Sequence, residues 1–190
     1  MKKILLKPSD YLYPQPVILA GSNVNGIPNF TTVSWVGFAN ESPPMISIAL
    51  NHVRHTLKGI KQNNVFSVNI PSTEMVKETD YCGIVSGSKV NKANECQFTL
   101  FYGKLSDAPL IEQCPINLEC EVVNTLELDS HSLIIGKITD VHISENCLTD
   151  GQPDVNKIMP IAYITGHNGQ YHAIGAFLGD AYSVGKNITK

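Results

Sequence analysis

The chain has one tryptophan, Trp35, and one arginine, Arg54, and only 16% of its 190 residues are charged. Soluble domains usually carry about 25% charged residues, so part of the surface is expected to be covered by a second copy. Uninterrupted apolar runs are a few residues long, as at Leu133–Ile135, far short of the ~20 needed to cross a bilayer. No membrane partner is expected. The net charge is -3 and the lysines are scattered, so the basic stripe that nucleic-acid binding needs is missing. Five cysteines at 82, 96, 114, 120 and 147 form no C-x-x-C pair. An odd count fits buried thiols in a reducing compartment better than a disulfide scaffold. The start, Met1 to Pro8, is basic and then briefly apolar, too short for a signal-peptide core. The expected location is therefore the cytoplasm. No G-x-G-x-x-G follows a strand and no P-loop order occurs, which disfavours a Rossmann fold and nucleoside triphosphate hydrolysis. His52 and His55 lack third and fourth ligands at a recognisable spacing, so no metal site is expected.

Strand-like sequence dominates what is present. Val17–Ala20 and Phe30–Gly37 flank Asn25-Gly26, a strong short-range hairpin signal, with Pro28 delaying the second strand. Met45–Leu50 and Val65–Ile70 read as strands, and Thr56–Asn63 between them as a short helix with Leu57 and Ile60 on one face. Pro71-Ser72-Thr73-Glu74 begins a helix expected to stop at Gly83. Ser86–Cys96 reads as a loop with one helical turn. Leu118–Leu128 and Leu133–Ile143 make a second hairpin around Asp129-Ser130-His131-Ser132, which puts His131 at its tip. Asn146–Asn156 is expected to be a surface loop, Ile161–Thr165 the last strand, and the rest a glycine-studded tail. Many strands with few short helices and no βαβ alternation predict a mainly β, antiparallel barrel or sandwich with helices at its rim.

Asn29, Thr31, Thr32, Ser34 and Thr56 share the first third of the chain with Trp35 and Arg54. One reading is a solvated strand face with Trp35 in the core. The other is a binding site, because so many hydroxyls do not suit a purely structural core. His52-Val53-Arg54-His55-Thr56 sits where a strand gives way to a helix. Backbone N–H groups at a helix start attract phosphate, and Arg54 adds a charged fork; alternatively Thr56 only caps the helix and Arg54 is solvated. Ser86-Gly87-Ser88-Lys89-Val90-Asn91-Lys92 has the small residues and lysines of an anion-wrapping loop. Cys82 reads as a small buried residue rather than a nucleophile.

Taken together, several segments carry a resemblance. Pro16-Val17-Ile18-Leu19, Asn29-Phe30-Thr31-Thr32-Val33-Ser34-Trp35, Pro43-Pro44-Met45-Ile46-Ser47-Ile48 and Arg54-His55-Thr56 are the first of these. Phe66-Ser67-Val68-Asn69-Ile70, Asp80-Tyr81-Cys82-Gly83-Ile84-Val85-Ser86-Gly87, Cys114-Pro115-Ile116-Asn117-Leu118-Glu119-Cys120 and Gly136-Lys137-Ile138 continue the series. In this order they resemble the flavin reductase-like, FMN-binding split-barrel family, and within it the flavoredoxin branch. The match runs from about residue 14 to about 165 of one domain spanning 1–190, with 166–190 a C-terminal extension.

The resemblance implies a split β-barrel of antiparallel Greek-key type, a homodimer, and one FMN per subunit near the interface. Asn29, Thr31 and the Thr32-Val33-Ser34-Trp35 backbone would meet the isoalloxazine ring, with Trp35 lining its pocket. Arg54, Thr56, Ser86 and Lys92 would hold the phosphate and ribityl chain. His131 would approach the flavin, from either subunit, and Tyr163 would lie nearby. The family often has an acidic residue before the lysine and an aromatic after it; here Asn91 and Ala93 stand there. The implied activity moves electrons from NAD(P)H or a redox protein through FMN to an acceptor, with no catalytic side chain because the flavin does the chemistry. The alternative is a non-catalytic flavin- or haem-binding protein on the same fold.

Overall fold

Apolar and polar residues alternating at period two drive most of this chain into strands. The computed structural model describes residues 1–166 and 168–188. In chain order, β1 (Gln15–Pro16), β2 (Ile18–Val24), β3 (Ile27–Val33), β4 (Val36–Asn40) and β5 (Met45–Asn51) precede the first helix, α1 (His55–Asn63). Then come β6 (Val65–Ile70), α2 (Val76–Ile84), α3 (Lys92–Glu95) and the short strands β7 (Leu100–Phe101) and β8 (Leu110–Ile111). The long strands β9 (Ile116–Glu127) and β10 (His131–Ile143) lead to β11 (Leu148–Thr149), β12 (Gln152–Pro153), α4 (Val155–Ile158), β13 (Ile161–Ile164) and β14 (Gln170–Ala173).

Seven strands form one antiparallel sheet in the order β3-β2-β6-β9-β10-β5-β4, and β1-β13-β14 form a second. The sheets do not close into one cylinder, so the fold is mainly β, a split barrel with short helices at its rim. β2 is buried along its whole length because its two faces serve two cores. Ile18 and Ala20 join Val33, Ile48, Leu50, Phe66 and Ile134 inside the barrel, where Leu57 and Ile60 of α1 also pack. Leu19 faces the other way, into a second cluster with Phe30, Met75, Cys82, Ile111 and Cys114. That cluster fixes α2 and α3 against the outside of the barrel wall, next to β3.

Most predicted elements are present, and the differences have physical causes. β3 begins at Ile27, so Pro28 does not delay it; β3 is an edge strand, where a missing N–H does no harm. The run Phe30–Gly37 is not one strand, because the chain leaves the ladder at Ser34-Trp35. The predicted helix start is a short 3-10 turn, Thr73–Met75, and α2 runs one residue past Gly83. His131 is the first residue of β10, paired with Asn51 of β5, rather than the tip of the turn. The Asn146–Asn156 loop contains a small hairpin, β11–β12, turning on Asp150 and Gly151 at φ 51° and 75°. Part of the glycine-studded tail forms β14, which pairs with β13 from Ile161↔Ala173 to Ile164↔Gln170. Of the 166–190 extension, residues 167, 189 and 190 lie outside the described residues. All five cysteines are free thiols, four of them buried. No helix among the described residues is long and apolar enough to cross a membrane.

Candidate functional site

The break between β3 and β4 opens one wall of a cleft. Ser34-Trp35 leaves the ladder but stays tied to β5, because Ala49 N donates to the Trp35 carbonyl at 2.9 Å. Trp35 is therefore not a core residue: it is 44% exposed, and its ring stacks on His131 at 4.7 Å with 28° between planes. His131 Nδ1 lies 2.8 Å from Ser130 Oγ, which steadies the ring.

Arg54 forms the floor. Asn51 ends β5 with its side-chain oxygen accepting from Val53 N at 3.1 Å, while its carbonyl accepts from Arg54 N at 3.0 Å. This turn delivers Arg54 to the start of α1, where its Nη1 donates to the Gly83 carbonyl near the end of α2. The start of α1 has no side-chain cap and no acidic residue in its first turn. Thr56 does not cap it: its hydroxyl donates to Asn29 Oδ1 at 2.7 Å, in the buried interior. Uncapped N–H groups beside a guanidinium favour an anion.

Two hollows meet along this wall. The larger, of about 400 Å³, is lined by Thr32, Ser34, Arg54, Asp80, Gly83, Ile84, Tyr163 and Tyr171, among others. The smaller, of about 130 Å³, includes Ser34, Trp35, Asn51, Arg54 and His131. Thr32, Ser34 and Arg54 belong to both. Thr32 is held by its hydroxyl, which donates to the Thr79 carbonyl. Val33 contributes to the smaller hollow although its side chain points into the barrel core.

Not every predicted residue reaches the cleft. Asn29, Thr31 and Thr56 are at most 4% exposed and line neither hollow. Asn29 instead supports the Ser86–Ser88 turn: a Cβ on Gly87 would come within 1.8 Å of Asn29 Nδ2, so only glycine allows that approach. Ser86 Oγ lies 2.9 Å from Ser88 Oγ, which places both at that turn. Lys92 also lines neither hollow. It is 2% exposed, and its ammonium donates to the Phe30 carbonyl at 2.8 Å and the Cys82 carbonyl at 2.7 Å. Burial lowers its pKa; the Cys82 sulfur beside it opposes that shift, and the nearby Arg54 charge adds a lesser lowering. Lys92 ties α3 and α2 to β3. Lys92→Met should cost about 1–2 kcal/mol of stability, through two buried carbonyls left without a donor. FMN affinity of the folded variant should change less than twofold; thermal melts and flavin titration check both.

Asp80, Ile84 and Tyr171 were not marked as site residues by the sequence, although they line the larger hollow. Asp80 and Ile84 lie inside the Asp80–Gly87 segment of the resemblance, so a signal for them existed. Tyr171 sits in the part of the tail that showed no periodicity.

These features fit a flat, phosphate-bearing cofactor: an aromatic wall, hydroxyls in the middle, and a cationic floor at an uncapped helix start. The hollow also lies within the usual 300–1,000 Å³ range of ligand pockets. Comparison with known proteins gives the same direction. The solved structure of flavoredoxin from Methanosarcina acetivorans superposes at TM-score 0.94, with 40% identity over 100% of both chains. Flavoredoxin of Desulfovibrio vulgaris (Miyazaki F) superposes at 0.90, with 34% identity over 98% of this chain and 100% of that one. An FMN-binding protein from Thermus thermophilus, 21% identical over 94% and 98% of the two chains, shares the fold at TM-score 0.77. The sequence model of the flavin reductase like domain matches residues 11–174, and the chain belongs to that family.

Proposed function

We propose that this protein binds FMN in the cleft and works as a flavin-dependent oxidoreductase of the reductase or flavoredoxin type. The observation that carries the reading is the meeting of both hollows at Thr32, Ser34 and Arg54 beside the uncapped start of α1. Arg54 and the α1 N–H groups hold the phosphate, with the Ser86–Ser88 turn beside them. Thr32 and Ser34 offer hydrogen-bond partners for ribityl hydroxyls and the polar edge of the ring. Trp35 and His131 supply an aromatic wall, and Tyr163 lines the larger hollow. The flavin supplies the redox chemistry when bound; the protein fixes the ring, shields one side from water and leaves the other open to a donor. Electrons come from NAD(P)H or a reduced redox protein.

The same reading makes the protein a homodimer in which a second copy covers apolar surface close to the cleft. Trp35 is 44%, Phe38 81% and Val53 82% exposed in one chain, and large apolar side chains left open to water favour an interface.

An absorbance spectrum of the purified protein, followed by anaerobic NADH and then NADPH, tests the proposal. Flavin bands that bleach are the expected result. Bands that persist with both nicotinamides and with a reduced redox protein would turn the reading to a non-catalytic holder. A colourless protein that takes up no FMN would overturn it.

A further inference from the structure

The outer wall of the larger hollow is thinly attached. β14 lies at the edge of the three-stranded sheet and, among the described residues, pairs only with β13. The hairpin they form is held through β13, which pairs with β1, and beside the turn, where Thr165 Oγ1 donates to Asp10 Oδ2 at 2.9 Å. Just before β14 the chain needs glycine: Gly169 has φ 39°, and a Cβ there would come within 2.5 Å of the Tyr163 hydroxyl. Tyr163 and Tyr171 stand side by side on the hairpin, ring centres 5.6 Å apart.

Among the described residues, one hydrogen bond joins β14 to α2. Tyr171 Oη donates to Asp80 Oδ1 at 3.1 Å, and both residues line the hollow. Asp80 makes no ion pair among the described residues, so Tyr171 is its partner on this wall. Asp80 also lies three residues, under one helical turn, before Gly83, whose carbonyl accepts from Arg54. α2 is thus fastened on one side to the floor of the cleft and on the other to its outer wall.

We propose that the Tyr171–Asp80 hydrogen bond is a latch that holds the β13–β14 hairpin across the cleft and sets how long bound flavin stays. The inference rests on the reading of this cleft as the FMN site. A flavin enclosed here leaves when a wall moves. α2 is held by the second core cluster and the long sheet is a continuous ladder, so the β14 side of the hairpin, at the edge of its sheet, is the wall with fewest attachments. Opening it breaks a bond to a carboxylate, one of the stronger kinds of hydrogen bond. Latch strength would then separate a carrier that keeps its FMN from a reductase that releases it.

The test follows flavin release from FMN-loaded protein after rapid dilution. Tyr171→Phe and Asp80→Ala should each speed release about tenfold, the low end for a half-exposed bond to a charged acceptor. The double variant should be no faster than either single one, because both remove the same bond. Asp80→Asn keeps an oxygen that can accept from Tyr171, so its release should stay within about threefold of the original protein. Association rates should hardly change. Three outcomes overturn the latch: unaltered release in Tyr171→Phe, additive single effects, or Asp80→Asn releasing as fast as Asp80→Ala. Tyr171→Phe and Asp80→Asn preserve shape, so the test stands even if Asp80→Ala fails to fold. An original protein that takes up no FMN overturns the flavin reading and the latch with it; normal loading with any of the three outcomes overturns the latch alone.

Discussion

Arg54→Ala should weaken FMN binding about 10- to 150-fold, the loss of about 1.5–3 kcal/mol that follows removal of a charged hydrogen-bond donor. The size follows from the placement of the side chain. Arg54 lines both hollows and stands at the uncapped start of α1, so no other cation among the cleft-lining residues can replace it. Its guanidinium already gives Nη1 to the Gly83 carbonyl, which holds the remaining donors in one orientation. Arg54→Lys keeps the charge but not the fork and should recover only part of the affinity. Flavin titration by fluorescence gives the dissociation constant, and melting of the flavin-free protein shows whether the fold has survived. An unchanged dissociation constant in Arg54→Ala would remove Arg54 from the site.

The contrast between Arg54 and Lys92 shows how far the sequence could be read. Both are basic residues in polar, turn-forming surroundings, and sequence alone gave them the same role. The structure separates them by burial: Arg54 is half-buried on a cleft wall, whereas Lys92 is 2% exposed with its ammonium between two carbonyls. One-dimensional spacing does not reveal which way a lysine on a one-turn helix points. Trp35 shows the converse. Its strand-like surroundings fit a core residue equally well, and only the break after Val33 and the contact with His131 place it at the surface.

Strands were legible where local pattern decided them. Val65–Ile70 matches β6 to the residue, and Asn25-Gly26 turns the first hairpin as its type requires. β14 was hidden because it lies at a sheet edge facing mostly solvent: Gln170, His172 and Ala173 are exposed, so no alternation marks the strand. Tyr171 escaped notice with it. The cleft was half legible for a related reason. Residues supplied by β3 and the start of α1 are close in sequence, whereas Asp80, Ile84 and Tyr171 are brought in by contacts spanning up to 91 residues.

A buried carboxylate that the strand pattern conceals should give the largest loss of stability. Glu119 reads as one polar residue in the β9 run, yet it has no exposed surface. Its Oε2 accepts from Leu105 N at 2.6 Å and its Oε1 lies 2.9 Å from His142 Nε2 on β10. Phe101 meets the same His142 ring edge-on at 5.5 Å, closing the group from the β7 side. Glu119→Ala removes the shared acceptor, leaves the Leu105 N–H without a partner and opens a cavity. Glu119 is fully buried but His142 is half-exposed, so the unpaired donor and the cavity together cost about 2–4 kcal/mol. For a chain of this size that lowers the melting temperature by about 4–16 °C. Glu119→Gln keeps an oxygen for Leu105 N and an amide that can meet neutral His142, so it should cost about 1 kcal/mol. Neither Glu119 nor His142 lines the cleft, so FMN affinity per folded molecule should be unchanged in both variants. A Glu119→Ala protein melting within 2 °C of the original would mean that water reaches this carboxylate, and that the β9–β10 pairing holds β7 and the Leu105 turn without it.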